Sequence, residues 1–183
     1  PVMTNAGMVL PQPGFLEALR EACTRRDALL AIDETHTLSS GPGGYARALG
    51  LAADFIICGK AIAGGVACGI YGYTHAVADR LRAADVRRER GHSGIGTTLA
   101  ANPLAIAALA ASLAHLHVPA TYQRMEARAR QLAAGIEAAL QRRRVSWQVS
   151  RVGARLEFGP APAPRTGRQS VQAIDHALEG ALH

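Results

Sequence analysis

Two side chains stand where chemistry can start. Asp33 closes the apolar run 28–32, and Lys60 follows the apolar run 55–58 by way of Gly59. Lys60 is the only lysine among 20 basic residues; the other 19 are arginine. Where a positive charge suffices, this sequence uses arginine. Arginine stays protonated and is no amine nucleophile, whereas a desolvated lysine can lose its proton and bond to a carbonyl carbon. Lys60 is therefore a candidate for covalent chemistry, the alternative being a surface lysine that survived by chance. Asp33-Glu34 has two readings as well: a working carboxylate, or a strand-end cap or salt bridge.

Strand ends must hold these groups. The run 28–32 and the segment 54–58 predict buried strands, the first of them parallel, and 69–73 predicts a third. Apolar residues at Phe15, Leu16, Ala18, Leu19 and Ala22 predict an amphipathic helix over 15–26, with basic residues at its C-terminal end. Further helices are expected over 75–84, over 102–116 as a buried Ala/Leu-rich helix, over 122–143 as a long amphipathic one, and over 169–182. Glycine and small residues make loops of 39–44, 61–65 and 87–98. Short strands are expected at 145–149 and 155–158, with Trp147 in the core of their domain. The order predicts an α/β architecture followed by part of a second small domain, with a boundary near 113–120. In such sheets ligands sit beyond the carboxyl ends of the strands. Asp33 and Lys60, 27 positions apart, can then converge on one crevice. A lysine amine opposite a carboxylate suits pyridoxal phosphate: the lysine holds the aldehyde as a Schiff base, and the carboxylate keeps the ring nitrogen protonated.

Composition removes several other classes. With 49% hydrophobic and 19% charged residues, the 183-residue chain can build a sizeable core and does not read as disordered. It has no apolar run of about 18 residues, so no membrane partner is expected. Cys23, Cys58 and Cys68 lack paired spacing, which argues against a zinc site or a disulfide framework and for a reducing, cytoplasmic setting. His115 and His117 fall on different faces of a helix, so no metal is expected there. The net charge of +6 comes from arginines placed mainly along helices, where a solvated face is the ordinary explanation. Asp33-Glu-Thr-His36 also spells the DExH box of nucleic-acid-dependent ATPases, but no GxxxxGK[ST] loop precedes it. His36 either faces a cofactor or is a loop histidine satisfied by backbone.

Several ordered motifs carry a resemblance. They are Leu30-Ala-Ile-Asp33-Glu34, Gly41-Pro-Gly-Gly44, Ala53-Asp54-Phe-Ile-Ile-Cys-Gly59-Lys60 and Ile62-Ala-Gly64-Gly65. Thr98-Leu-Ala-Ala-Asn102-Pro103-Leu104 and Pro11-Gln-Pro-Gly14-Phe-Leu-Glu-Ala-Leu-Arg20 belong to the same set. In this order the stretch 2–113 resembles the class III (glutamate-1-semialdehyde aminomutase-like) aminotransferases of the fold-type-I pyridoxal-phosphate enzymes.

The resemblance implies a fold-type-I large domain, of which 1–115 is the C-terminal half, and the start of a small α+β C-terminal domain over 116–183. It implies pyridoxal 5'-phosphate as cofactor and an amino donor with a keto or aldehyde acceptor as substrates. Lys60 becomes the Schiff-base lysine and proton shuttle, and Asp33 the partner of the pyridinium nitrogen. Thr35, where the family often has valine, packs on the pyridine face. Thr98 binds the phosphate across a homodimer interface. Amino-group transfer and an intramolecular amino shift use the same lysine and both stay open. Thr97 stands where the family usually has glycine, and Thr37-Leu-Ser where it has Thr-Gly-Phe, which leaves the substrate open. The family's phosphate cup and stacking aromatic have no counterpart in this sequence, so the chain is expected to be an internal stretch of a longer enzyme and inactive alone.

Overall fold

A computed structural model describes residues 1–5, 7–85 and 99–174. Helix α1 (Phe15–Arg25) follows Gly14, which takes the left-handed conformation at φ 79°. Glu17 in its first turn and Arg25 in its last complement the helix dipole. Strand β1 (Ala31–Asp33), helix α2 (Gly44–Ala48), strand β2 (Phe55–Cys58), strand β3 (Ile70–Tyr73) and helix α3 (His75–Asp85) complete the first part. Then come α4 (Pro103–His115), α5 (Pro119–Arg143), the hairpin β4 (Trp147–Val152) and β5 (Arg155–Pro160), and α6 (Gly167–Gln172).

The first sheet has the order β1-β2-β3. The β1–β2 pair is parallel, as the apolar run suggested, with Asp33 beside Ile57; β2–β3 is antiparallel. Period-2 alternation decides what each face does. Ile32 is buried with Leu30 and Ala46, and Ile56 packs against them. The opposite face leaves Ile57, Tyr71 and Tyr73 exposed, and a shallow apolar cavity there is lined by Ala31, Phe55, Ile57 and Tyr71.

Asp54 of the Ala-Asp motif is a framework residue. Its carboxylate accepts from Arg20 at 2.6 Å and from the Leu30 N–H at 2.7 Å. It ties α1 to the start of β1 and the entry to β2. The Arg20 hydrogen bond, then the Leu30 N–H, hold its carboxyl below the usual carboxylate range. A folded-state pKa below the unfolded value adds stability above about pH 4 that is lost as pH falls through the folded value. Asp54→Ala should lower unfolding stability by roughly 1–2 kcal/mol at neutral pH, with a smaller difference in acid. Urea titrations at the two pH values measure this.

The expected burial of the Ala/Leu-rich helix needs correction. Helix α4 forms, but Leu104, Ile106 and Leu113 are exposed. It is apolar all round, and one stripe, with Ala108 and Leu109, meets the cluster of Leu38, Cys58, Ile62 and Ala63. Its start is well specified: Asn102 accepts from the Ala105 N–H at 2.9 Å, and Pro103 takes the first turn. The Asn102-Pro103 of the 98–104 motif thus acts as a helix cap. Two loops are also more ordered than expected: Leu38–Ser40 and Lys60–Ala63 are 3-10 turns. Trp147 is half-buried, its ring 5.9 Å from that of Phe158. The last helix ends at Gln172, and residues 175–182 of the expected helix lie outside the described residues. No single helix among the described residues is long and apolar enough to cross a membrane.

The β4–β5 hairpin rests on the first part through its tip. Gly153 has φ 56°, and a β-carbon there would lie 2.4 Å from Ser40 Cα. Only glycine permits both that conformation and that approach. The Ala154 N–H then donates to Ser39 O at 3.2 Å.

Candidate active site

Asp33 and Lys60 occupy the carboxyl ends of neighbouring parallel strands. The Glu34 N–H donates to Ile57 O at 2.7 Å and carries the β1–β2 pairing one step past Asp33. The side chain of Asp33 accepts from the Thr35 N–H at 2.8 Å. The Thr35 hydroxyl first, and this N–H second, hold the Asp33 carboxyl below its ordinary value. It is therefore ionised at neutral pH, as a partner for a protonated ring nitrogen must be.

Thr35 lies between the two strand ends. A β-carbon at Gly59 would sit 3.5 Å from the Thr35 hydroxyl oxygen and 3.6 Å from its methyl carbon. The residue before the lysine is therefore in contact range of the residue two beyond Asp33. Lys60 is exposed and opens the turn Lys60–Ala63 with φ 50°. The left-handed region costs a residue with a β-carbon about 1–2 kcal/mol. Such strain persists where neighbours over-determine it and is enriched at functional sites. Here Ile62 and Ala63 are buried beside Cys58, and the Ile62 N–H donates to Gly59 O at 3.2 Å. The turn presents the amine and is pinned from below.

Glu34 resolves the two readings of the Asp-Glu pair: the neighbours divide the work. Glu34 is fully buried. Its carboxyl accepts from the Thr37 hydroxyl, from the Tyr45 N–H at 3.0 Å and from the Ala46 N–H at 2.6 Å. It therefore caps α2 and holds the glycine-rich loop. Gly44 is required beside it, since a β-carbon there would lie 2.6 Å from the Glu34 carboxyl carbon. Glu34→Ala leaves the buried Ala46 N–H and the part-buried Tyr45 N–H without an acceptor and should cost about 2–3 kcal/mol of stability. Denaturant unfolding of the variant tests this; an unchanged midpoint would remove the cap from the account.

His36 is half-buried on the turn after β1, its Nδ1 hydrogen-bonded to the Thr4 hydroxyl. Burial, then Lys60 and Arg155, push it below the ordinary histidine value, while Asp33 and Glu157 act in the opposite sense. Arg155 of β5 donates to Thr4 O at 3.3 Å and pairs with Glu157 at 2.6 Å. Thr4, Arg155 and Glu157 carry no sequence signal for this neighbourhood, because Arg155 and Thr4 lie 151 positions apart. Thr98 lies outside the described residues, as does the loop expected over 87–98. Among the described residues, no group of three or more His, Cys, Asp or Glu side chains could hold a metal ion.

The chain is similar to known proteins over its whole length. The chain is 38% identical over 185 residues to glutamate-1-semialdehyde 2,1-aminomutase of Anaeromyxobacter sp. strain K, covering all of this chain and 41% of that protein. It matches the crystal structure of a glutamate-1-semialdehyde aminomutase from Pseudomonas aeruginosa PAO1 with a TM-score of 0.93 and 42% identity, over all of this chain and 42% of that one. A β-phenylalanine aminotransferase from Variovorax paradoxus matches with a TM-score of 0.83 and 31% identity, again over the whole chain and 41% of the neighbour. The chain thus spans about two-fifths of the length of these relatives. Residues 1–175 match the profile of the aminotransferase class-III family. With a lysine and an ionised carboxylate at adjacent parallel-strand ends, and with family motifs in order along the sequence, the chain belongs to the class-III aminotransferases.

Proposed function

We propose that the protein carrying this chain is a pyridoxal-phosphate-dependent enzyme that moves an amino group on an amino acid or amine. The observation that carries the reading is the placement of Asp33 and Lys60 at the carboxyl ends of two paired parallel strands. The residues fit the cofactor. Lys60 offers an exposed amine on a pinned turn, Asp33 an ionised carboxylate, and Thr35 a β-branched side chain between them. When bound, pyridoxal phosphate supplies a carbonyl for amines and an electron sink for the substrate Cα–H bond. Lys60 Nζ would hold the cofactor and then move a proton on and off the substrate carbon. Asp33 would keep the ring nitrogen protonated, and Thr35 would pack on the ring face. Thr98 would bind the phosphate from the partner subunit of a homodimer.

The domain division follows the same reading: 1–115 in the large cofactor-binding domain, 116–183 in the small one. Two separate sheets and the 77° bend between α4 and α5 support it. A cytoplasmic setting goes with the three free cysteines. Nothing in the comparisons favours a DExH ATPase, and Glu34 of that box is a buried cap.

An intramolecular amino shift is the second reading, favoured by the aminomutase names of the relatives at 38% and 42% identity. Isotope tracing separates the two. Nitrogen-15 from an amino donor should appear in an added keto or aldehyde acceptor if the protein is an aminotransferase. Conversion of glutamate 1-semialdehyde with its nitrogen retained and no acceptor needed would establish the amino shift instead.

A further inference from the structure

The turn that presents Lys60 is braced from α4. Ile62 and Ala63 are buried, with Ala108 and Leu109 of that helix packed against their cluster. Gly64 closes the turn at φ 63°, and a β-carbon there would lie 3.5 Å from Leu116 Cδ1 and 4.0 Å from Ser112 Oγ. The end of α4 therefore meets the end of the lysine turn. Ser112 is buried, and its carbonyl accepts from the Leu116 N–H at 2.8 Å and from the His117 N–H at 3.0 Å.

Helix ends fray unless something ties them. Leu116, His117 and Val118 join α4 to α5 across the 77° bend, and a side-chain pair spans it. His117 Nδ1 and the Tyr122 hydroxyl are 2.8 Å apart, and the two ring centroids 6.1 Å. His117 Nε2 is buried and has no hydrogen-bond partner among the described residues, so the imidazole is anchored there through Nδ1. Tyr122 is itself buried in the first turn of α5. Burial first, and Cys58 second, push its phenol above the ordinary value, so it keeps its proton at neutral pH.

We propose that His117 and Tyr122 are positioning residues for Lys60: their hydrogen bond closes the α4–α5 bend and holds the last turn of α4 against Gly64. The inference rests on Lys60 being the amine that takes the cofactor. Lys60 sits in the left-handed region, a conformation that persists only where neighbours hold it. Its amine works only if it stays placed to within about an ångström of the reacting atoms. The packing of α4 supplies that hold, and the bond across the bend keeps the helix end in place to supply it.

The test uses Tyr122→Phe, which removes only the hydroxyl, together with His117→Leu and His117→Asn. Asparagine keeps a polar group near the place of Nδ1 and can still bond the phenol. Amide hydrogen exchange is followed by mass spectrometry in the protein that carries this chain, and borohydride fixation of pyridoxal phosphate at Lys60 is titrated beside it. In the turn, the Ile62 N–H donates to Gly59 O and the Gly64 N–H to Ala61 O. Tyr122→Phe and His117→Leu should each speed exchange in the peptide holding these two amides by about fivefold or more. The peptide holding the Leu51 amide, bonded to Ala46 O at 2.9 Å, should exchange as in wild type. The pyridoxal phosphate needed for half-maximal label should rise severalfold. The double variant His117→Leu/Tyr122→Phe should be no worse than either single one, and His117→Asn should lie close to wild type. A lowered melting midpoint with unchanged exchange in the lysine turn would make the pair a brace for the bend alone and overturn the proposal. If the wild type takes no label at Lys60, the cofactor reading fails and the proposed service to Lys60 fails with it. Exchange in the turn then still shows whether the pair holds it, which tells the two failures apart.

Discussion

Lys60→Arg should lower amino-group transfer by at least about three orders of magnitude, or roughly 4 kcal/mol in barrier. The substitution keeps the positive charge and most of the stem, so a loss of that size cannot come from electrostatics at an exposed site. It comes from the chemistry that a guanidinium lacks: it does not give up its proton near neutral pH and does not attack a carbonyl. The fold should barely notice. The residue is exposed, and the turn is pinned by Ile62 and Ala63 rather than by the lysine itself. The expected pattern is thus an unchanged melting midpoint for the cofactor-free protein, with turnover near background. Turnover near the wild-type rate would remove Lys60 from catalysis.

Asp33→Asn should have the next largest effect on rate, about 10²–10³-fold, the magnitude typical of losing one preorganised electrostatic partner in a site. Asn can still accept from the Thr35 N–H, so the local turn is expected to hold. What disappears is the negative charge that the Thr35 hydroxyl and N–H stabilise. A neutral amide does not hold a proton on a ring nitrogen as a carboxylate does. Cofactor attachment at Lys60 should therefore survive, while exchange of the substrate α-proton slows. Equal exchange rates in variant and wild type would take Asp33 out of this role.

The sequence made the skeleton of the site readable because the decisive features are local. Apolar runs of strand length ended at Asp33 and Gly59, and the β1–β2 register places those ends beside each other. The lone lysine was visible in the composition alone. Exposure was less legible: the Ala/Leu pattern of α4 looks the same whether its outer stripe is covered or bare. The division between Asp33 and Glu34 was hidden too, since adjacent carboxylates differ only in which side of the strand end they face. Glu34 turns inward to the α2 amides, and Asp33 turns to Thr35. The contacts of His36 required the hairpin tip at Gly153 to dock on Ser40 and Arg155 to reach Thr4 across most of the chain. Pairings at that separation leave no period or spacing in a sequence.

The most direct measurement is to saturate the protein carrying this chain with pyridoxal phosphate, reduce with borohydride, and map the labelled peptides by mass spectrometry. Reduction fixes the cofactor on the amine that holds it. The predicted result is one dominant labelled peptide, the one containing Lys60, with the label lost in Lys60→Ala. A dominant label on any other amine, or no stable label while amino-group transfer proceeds, would contradict the account.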